Sequence, residues 1–518
     1  MSRHRRPTLR HVAAISLALA VPGLAACGTR LDRPQLLADE GSAFTTVTEP
    51  ASAAPAAPGA AAPSATATGA GVPTTASTVA APVTTTGAAL GGGAPVISGP
   101  TAATTTSPGS AAASSGTARG TSSGGKATKP SAATSSAPSG AGAPCTSQGA
   151  PLVVGQTGSF SGLVGAAVGG SRTGLAVWAK DVNARGGIAC HPVVLYQEDD
   201  GSDPSKAAAN AQDLAQTKHV VAYVGIFDPI VISGFRSVDD QNNLPTVGGD
   251  GVPTDWNQDP NLYPVGGSTI ATYLGGVKYA VDQGNKKVAY FYCVEASACA
   301  QGHDASGGPN GFMAKAGADY VYQTSISITQ SDYTAECQNA KNAGAQAILV
   351  GADGASLTRV ARSCAGLSYR PTIVGQSIEF SISQANDANL QADHFTLASA
   401  VVPWMQSDVP AAAAFMAAMK AYAPGVAADG STAQAYQSGR MLEAAIGKLG
   451  DAARNGPITS AMIRQGLGMI KDETLGGAIA PTTYTPGQVH PPIPCYFTVT
   501  LQGSQFVAPY GSKVSCAS

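Results

Sequence analysis

Charged residues are scarce in this chain of 518 residues. Lys, Arg, Asp and Glu together make up 12% of the sequence, against about 25% in an average soluble protein. The formal net charge is -2 and aromatic residues amount to 6%. The chain therefore lacks the basic surplus of a nucleic-acid-binding protein and the acidic surplus of a polyelectrolyte. We expect no nucleic-acid partner.

The motifs of common enzymes and metal sites are also missing. The sequence has no Cys-x-x-Cys and no His-Glu-x-x-His, and no His lies at ligand spacing from a Cys. The segment GSFSG at 158–162 has Phe160 where the nucleophile elbow of a hydrolase needs serine. The segment GTSSGGK at 120–126 nearly matches a phosphate-binding loop, but Ala127 replaces the required Ser or Thr. We therefore expect neither an enzyme nor a bound metal or cofactor.

The first 26 residues have the pattern of a signal peptide. Four of the first ten residues are arginine, and a short apolar run follows over 12–24. This run is shorter than the roughly 20 residues of a membrane-spanning helix. It ends in Leu-Ala-Ala-Cys at 24–27, which resembles the lipobox of bacterial lipoproteins. The resemblance implies that Cys27 carries a lipid anchor on the extracytoplasmic face of the membrane. The alternative is an ordinary signal peptide with an incidental cysteine.

Residues 27–144 lack the side chains that a folded core needs. The stretch 45–143 consists almost entirely of Ala, Thr, Ser, Pro and Gly, and no residue from Ala51 to Ala118 is charged. Such a sequence cannot bury enough apolar surface to offset the entropy of ordering. We predict a disordered linker, whose length gives it a reach of roughly 50–60 Å.

Eight of the nine cysteines lie in the remaining part, 145–518. An even number of cysteines in an exported domain indicates disulfide bonds, although eight cysteines allow on the order of a hundred pairings. We expect the cysteines to pair in sequential order. The expected pairs are Cys145–Cys190, Cys293–Cys299, Cys337–Cys364 and Cys495–Cys516.

Strand and helix patterns alternate in two runs from residue 151 onwards. The first run has apolar strand segments at 151–155, 193–196, 220–224 and 244–247, with helical patterns over 172–185 and from Asp203-Pro204. The second run has strands at 287–292, 347–350 and 372–374, with helices at 273–282, 308–316, 332–343 and 357–364. This alternation predicts two parallel sheets covered by helices, whose ligands bind at the carboxyl ends of the strands.

Four motifs of the first run occur in the order and spacing of a known family. They are GSFSG at 158–162, TGLAVWAKDVNARGGI at 173–188, VVLYQEDDGSDPSKAAANAQDL at 193–214 and VVAYVG at 220–225. Together they resemble the type I periplasmic binding proteins of ABC importers, specifically the leucine/isoleucine/valine-binding class. The resemblance extends over essentially all of 148–518 and weakens toward the end.

This resemblance implies an α/β fold of two Rossmann-like lobes with parallel sheets, joined by a three-strand hinge. Lobe 1 would comprise 148–269 and 401–480, and lobe 2 would comprise 270–400 and 481–518. Such a protein captures a small polar solute, for example an amino acid or an amide, between its lobes and delivers it to an ABC permease. It would act as a monomer without a cofactor. The alternative is a ligand sensor of the same fold that signals to a membrane receptor.

The resemblance also implies which loops contact the ligand. In lobe 1 the implied contacts are Ser161, Phe227, Asp228, Gly249, Asp250 and Gly251. In lobe 2 they are Gln301, Asp353, Gln376, Ser377 and Glu379. Gln301 stands near the position of a ligand-stacking tyrosine. Ser377 aligns with a glutamate that accepts the ligand ammonium group in amino-acid binders, and Glu379 comes two residues later.

Three aspartates depart from this pattern. Asp228 stands where the family often has Ser or Thr for a ligand carboxylate, and Asp250 and Asp353 are acids in neighbouring contact loops. As ligand contacts, these acids would repel an anion and attract a cation or a polyol. Alternatively, each caps a turn or a helix and carries no information about the ligand.

Overall fold

The structure, a computed structural model, describes residues 145, 147–376, 378, 382–406 and 408–517. The predicted signal peptide, Cys27 and the predicted linker lie outside the described residues. Within the described part of the chain, no helix has both the length and the apolar character needed to cross a membrane.

Five parallel strands form the first sheet. In chain order they are β1 (Leu152–Gly158), β2 (Val193–Asp199), β3 (Ala222–Ile226), β4 (Thr246–Gly249) and β5 (Leu262–Tyr263). They pair in the order β2-β1-β3-β4-β5. All residues of β3 and β4 are buried, as expected for parallel strands with both faces of the sheet covered.

Helices connect these strands. They are α1 (Gly165–Val168), α2 (Gly170–Ala184), α3 (Pro204–Gln216) and α4 (Ile232–Asn242), and α2 and α3 are the two that the sequence pattern predicts. Asp203 caps α3 by accepting hydrogen bonds from the backbone N–H groups of Ser205 and Lys206, and Pro204 occupies the first turn. This cap satisfies two donors that an uncapped helix would leave without partners.

The second sheet has a parallel part and an antiparallel edge. Its strands are β6 (Lys287–Cys293), β7 (Asp319–Ile326), β8 (Ala347–Gly351), β9 (Thr372–Gln376), β10 (Thr396–Ser399), β11 (Cys495–Gln502), β12 (Gln505–Val507) and β13 (Ser515–Cys516). The order is β12-β11-β10-β9-β8-β6-β7, and β13 pairs with β11. Strands β6 to β10 are parallel, whereas β11, β12 and β13 pair in antiparallel fashion. The α/β fold class with parallel-sheet lobes is therefore confirmed.

The helices that accompany the second sheet are α5 (Thr269–Asp282), α6 (Ser297–Asp304), α7 (Phe312–Lys315), α8 (Thr334–Asn342), α9 (Gly354–Gly366) and α10 (Ala388–Ala392). The sequence pattern predicts a helix over 308–316, of which only the four residues of α7 are helical, and α6 is not among the predicted helices. Gly308 adopts φ +73 and Pro309 follows it, so the chain turns before the short α7 begins.

After β10 the chain returns to the first sheet. This segment carries α11 (Pro410–Tyr422), α12 (Gly430–Gly447) and α13 (Ser460–Leu467), and α12 packs against α2, β3 and β4. Gly439 of α12 lies against Trp178, where an added Cβ would come within 2.1 Å of the indole ring. The indole N–H of Trp178 donates to Glu443 at 2.8 Å. A segment distant in sequence therefore completes the first lobe.

The chain passes between the two sheets three times, and the crossings lie side by side. The backbone N–H of Gly267 donates to the carbonyl of Ala400 at 2.9 Å, and that of Ser268 donates to the carbonyl of Ile493 at 3.0 Å. Before the third crossing, His490 still contacts the first lobe, because the Asn257 side chain donates to its carbonyl at 2.9 Å. The third crossing therefore lies near Ile493, later than the expected boundary at 480/481.

Four disulfide bonds link the cysteines in the expected sequential order. One bond joins Cys145 to Cys190, before β2. The others join β6 to α6, α8 to α9, and β11 to β13; they are Cys293–Cys299, Cys337–Cys364 and Cys495–Cys516.

Candidate ligand-binding site

Both sheets have the same strand order, which predicts where a ligand binds. The first sheet runs β2-β1-β3-β4-β5, and the parallel part of the second runs β7-β6-β8-β9-β10. In the first sheet β2 lies on one side of β1, and β3 and the later strands lie on the other side, so the direction in which strands are added reverses between β1 and β3. In the second sheet it reverses in the same way between β6 and β8. Ligands of open α/β sheets bind outside the carboxyl ends of the strands at this reversal. The loops that leave β1, β3, β6 and β8 should therefore line the site.

These four loops do line a cavity between the two lobes, which we call the cleft. Its volume is about 70 Å³. The first lobe contributes Val164, Ala167, Val168, Pro229, Ile230 and Val252, and the second lobe contributes Tyr273, Cys293, Glu295, Ala296, Ala298, Cys299, Ile328, Gly351, Ala352, Asp353, Gln376 and Ile378.

The lining of the cleft is mostly apolar. Every lining side chain of the first lobe is aliphatic, whereas the second lobe adds Tyr273, Glu295, Asp353 and Gln376 as polar groups. No Lys, Arg or His lines the cleft among the residues that the structure describes. Within the same residues, no group of His, Cys, Asp and Glu side chains is placed to hold a metal ion. The cleft is suited to a molecule with an apolar body and few polar contacts.

The β6–α6 loop forms one wall of the cleft. The Cys293–Cys299 disulfide joins the end of β6 to the first turn of α6, and both of its residues line the cleft. Between them, Oε1 of Glu295 accepts hydrogen bonds from the Ser327 hydroxyl at 2.5 Å and from the Ile328 N–H at 3.0 Å. The disulfide and these two hydrogen bonds together fix the position of the Glu295 carboxylate.

Two of the sequence-predicted contacts reach the cleft. Asp353 lines it and also caps α9, accepting from the backbone N–H groups of Ala355 at 3.2 Å and Ser356 at 3.1 Å. The Ser356 hydroxyl donates to Asp353 as well, and Nη2 of Arg359 lies 3.8 Å from Oδ1 of Asp353. Gln376 ends β9 and accepts a hydrogen bond from the Thr272 hydroxyl at 2.9 Å.

Gln301 lies outside the cleft lining and bridges the lobes instead. Its side-chain oxygen accepts a hydrogen bond from the backbone N–H of Thr254 at 3.0 Å. Gln301 belongs to α6 of the second lobe, whereas Thr254 follows β4 of the first lobe. This contact stabilises the arrangement in which the two lobes are close together.

Asp250 is used by its own lobe. Its carboxylate accepts hydrogen bonds from the backbone N–H groups of Asp228 at 2.8 Å and Val252 at 2.7 Å, and from the indole N–H of Trp256 at 3.2 Å. Burial raises the pKa of Asp250 to about 7, although these three donors act in the opposite direction. The carboxylate therefore holds the loop whose residue Val252 lines the cleft.

Asp228 is fully buried. Its neighbour Pro229 lines the cleft, whereas Asp228 itself does not. Burial raises its pKa well above the usual range, and the neighbouring carboxyl groups of Asp200 and Asp250 raise it further. These effects favour the protonated acid, and neither carboxyl oxygen of Asp228 has a hydrogen-bond partner among the described residues. Oδ1 of Asp200 accepts from the Ser159 hydroxyl at 2.7 Å, which joins the loops after β1 and β2. The backbone N–H of Asp228 donates to Asp250, which joins the loops after β3 and β4.

The other predicted contacts of the first lobe also lie away from the cleft lining. Phe227 is fully buried, and Ser161 is exposed with its N–H donating to Asp199 at 3.1 Å. The carbonyls of Gly249 and Gly251 accept hydrogen bonds from the Gln434 and Thr269 side chains. In the second lobe, Ser377 and Glu379 lie outside the described residues.

The paired strand reversals, the three crossings and the cavity between the lobes are the features of a bilobal solute-binding protein. The family model described as periplasmic binding protein matches residues 151–505. This chain belongs to that family. Among curated proteins, no sequence matches the chain.

Solved structures show the same fold. A possible leucine/isoleucine/valine-binding protein from Rhodopirellula baltica has a TM-score of 0.58 and 18% identity, covering 70% of this chain and 98% of its own. A fatty acid ABC transporter substrate-binding protein from Thermomonospora curvata has a TM-score of 0.57 and 17% identity, covering 70% and 93%. A solute-binding protein from R. palustris in complex with benzoate has a TM-score of 0.56 and 16% identity, covering 71% and 98%. At these identities the likeness shows the fold alone.

Sequence reasoning missed the apolar residues of this periplasmic binding protein's cleft, and also Tyr273 and Glu295. A family comparison draws attention to the polar residues of each contact loop, whereas the first-lobe wall of the cleft uses the apolar residues beside them. Pro229 follows Asp228, and Val252 comes two residues after Asp250. The signal that could have identified them is their position within a few residues of the carboxyl end of a buried strand.

Proposed function

We propose that this periplasmic binding protein is the lipid-anchored, extracytoplasmic solute-binding component of an ABC importer. It captures a small solute in the cleft and delivers it to a permease in the membrane, which supplies the ATP hydrolysis. The observation that supports this most directly is the cavity between the carboxyl edges of two sheets that three adjacent crossings connect. The lipobox-like segment before Cys27 and the long linker agree with a tethered binding domain.

Lobe closure provides the mechanism. The walls of the cleft come from different lobes, so a solute contacts both walls only when the lobes are close together. Binding therefore shifts the population from an open form to a closed form by the free energy of these additional contacts. The closed form is what a permease would distinguish from the empty protein.

The apolar lining indicates what part of the solute is buried. The neighbours from Thermomonospora curvata and R. palustris are described as a fatty acid transport protein and a benzoate complex. A fatty acid and benzoate both have an apolar body, which supports a solute with an apolar body here. The few polar groups of the second-lobe wall then contact the solute's polar end.

A thermal-shift screen tests this function. The library contains amino acids, amides, amines, sugars, aromatic acids and short fatty acids. A solute at about 100 times its dissociation constant should add roughly 2.7 kcal/mol to the free energy of unfolding, which raises the melting temperature by a few degrees. We expect Val252→Phe to abolish this rise, because the larger side chain fills the cleft from the first lobe.

The matched control is Val426→Phe, at an exposed position between α11 and α12 that is 50% exposed. This variant should retain the full thermal shift. Uptake of the identified solute should then be lost in cells that lack the gene. If no class of solute stabilises the protein, the proposed function is wrong. If solute binds and uptake persists without the gene, the protein is a sensor rather than an importer component.

A further inference from the structure

Glu295 is the one carboxylate of the cleft lining that lacks a cationic partner among the described residues. The side chain is only partly buried, and all of its hydrogen-bond donors are neutral. Oε1 accepts from the Ser327 hydroxyl and the Ile328 N–H, and Oε2 accepts from the Val294 N–H at 3.2 Å. No Lys, Arg or His within the described residues forms a salt bridge with it. A carboxylate in apolar surroundings attracts a cation more strongly than a carboxylate in water does, because the local dielectric is lower.

The other carboxylate of the lining is less available. Asp353 caps α9 with three donors and has Arg359 at 3.8 Å. Its charge is therefore already compensated within the second lobe. Tyr273 adds an aromatic ring to the same wall of the cleft, and aromatic faces attract cations.

A carboxylate ligand would meet unfavourable electrostatics in this cleft. No cationic side chain within the described lining is available to pair with it, and Glu295 would repel it. The aliphatic side chains of the first-lobe lining offer no hydrogen-bond donor either. The charges and the apolar walls together favour a solute with an apolar body and a positive end.

We infer that the solute is a compact hydrophobic amine, whose apolar body packs against the aliphatic wall of the first lobe and whose ammonium group binds Glu295. This inference rests on the proposed function and names the class of solute. It goes against the carboxylate-bearing solutes that the resemblance to leucine/isoleucine/valine-binding proteins implies.

The experiment compares ligands that share a hydrocarbon body and differ in charge. Binding of isoamylamine, isovaleramide, isovalerate and leucine to the purified protein is measured calorimetrically at pH 7, together with benzylamine, benzamide and benzoate. In at least one series we expect the amine to bind about tenfold or more tightly than the carboxylate. Glu295→Gln should weaken binding of that amine by about tenfold and change binding of the amide by less than about twofold.

Glutamine retains the acceptor oxygen that Ser327 and Ile328 use and loses only the acceptor of the N–H of the exposed Val294, which water can replace. The variant should therefore keep its fold, which its melting temperature without ligand verifies. The matched control is Asp304→Asn at the end of α6. It removes a carboxylate whose side chain is 80% exposed and lies outside the lining. This control should bind the amine as the wild type does.

Three results would overturn the inference. They are tighter binding of the carboxylates in both series, equal losses for amine and amide in Glu295→Gln, and no binding of either amine. If a carboxylate binds to the wild type and Val252→Phe abolishes this binding, the solute is not an amine. The proposed function would then remain intact. The proposed function itself fails if the broader screen finds no solute, or if uptake of the bound solute persists without the gene.

Discussion

At the scale of single residues, the carboxyl groups near the cleft mainly hold loops in place. Asp250 accepts hydrogen bonds from the backbone N–H of Val252 in its own loop and of Asp228 in the loop after β3. Asp353 accepts from two backbone N–H groups at the start of α9. The same residue type at a strand end can contact a ligand or cap a turn. Only the positions of the donors distinguish these two roles.

Asp228 should make the stability of the protein depend on pH. Its folded-state pKa is raised well above the unfolded value, mainly by burial. Its contribution to stability is therefore fully present below the unfolded pKa of about 4 and is lost as pH rises toward the folded-state value. Asp228→Asn replaces the protonated acid by a neutral group of similar size. As pH rises from 5 to 8, the free energy of unfolding should fall less in this variant than in the wild type. The difference in slope should be up to about 1.4 kcal/mol per pH unit.

Urea unfolding at several pH values measures this difference. The control is Asp319→Asn, at an exposed position at the start of β7. The control should keep the wild-type dependence on pH. Identical pH dependence in Asp228→Asn and the wild type would show that Asp228 ionises normally in the folded protein.

At the scale of elements, the β6–α6 loop is the segment that connects the fold to ligand binding. Three of its residues line the cleft between Cys293 and Cys299, and the disulfide closes the loop over a separation of 6 residues. The Cys337–Cys364 disulfide spans 27 residues between α8 and α9, and neither of its cysteines lines the cleft. One bond therefore restrains the binding wall, and the other restrains the body of the lobe.

Removing these two disulfides should have opposite effects on affinity and stability. The chain-entropy model gives about 2 kcal/mol for the short Cys293–Cys299 loop and about 3–4 kcal/mol for the longer Cys337–Cys364 loop. We expect Cys293→Ala with Cys299→Ala to weaken solute binding more, because the Glu295 wall loosens. Cys337→Ala with Cys364→Ala should lower stability more and leave affinity nearly unchanged. Calorimetric binding and urea unfolding of both double variants measure the two quantities, and equal losses of affinity would contradict this assignment.

At the scale of the whole molecule, the proposed function depends on the distance between the lobes. Gln301 bridges them through the Thr254 N–H at 3.0 Å, near the cleft but outside its lining. A single neutral hydrogen bond contributes about 1 kcal/mol. Loss of the hydrogen bond between Gln301 and Thr254 should therefore reduce the population of the closed form without removing any contact between the ligand and the cleft.

Gln301→Ala should weaken the apparent affinity by about fivefold or less, because the apparent dissociation constant increases as the binding-competent fraction falls. Calorimetry measures the affinity, and small-angle scattering measures the shift toward the open form without ligand. Gln258→Ala is the control. Gln258 donates to the Thr254 hydroxyl within the first lobe, so this variant should change neither quantity. A loss far above fivefold would indicate that Gln301 contacts the solute directly.

Much of the architecture could be predicted from local patterns. The strands at β3, β6 and β8 are short apolar runs, and the Asp203-Pro204 start of α3 is a sequence signal by itself. Strand β7 was not predicted because it lies at the sheet edge with exposed polar residues among its apolar ones. The helix expected over 308–316 fails because the glycine and proline of that stretch form a turn.

The sequence by itself determined the fold class, and it predicts a signal peptide, a linker and a set of disulfide-forming cysteines, because these depend on composition and on periodicity within short segments. Only the tertiary structure decided which residues line the cleft. Val164, Val252, Glu295 and Ile328 come from four loops on two lobes, and three crossings far apart in sequence bring them together. The roles of Asp250 and Gln301 were decided in the same way, because a hydrogen-bond partner depends on distance in space and not on distance along the chain.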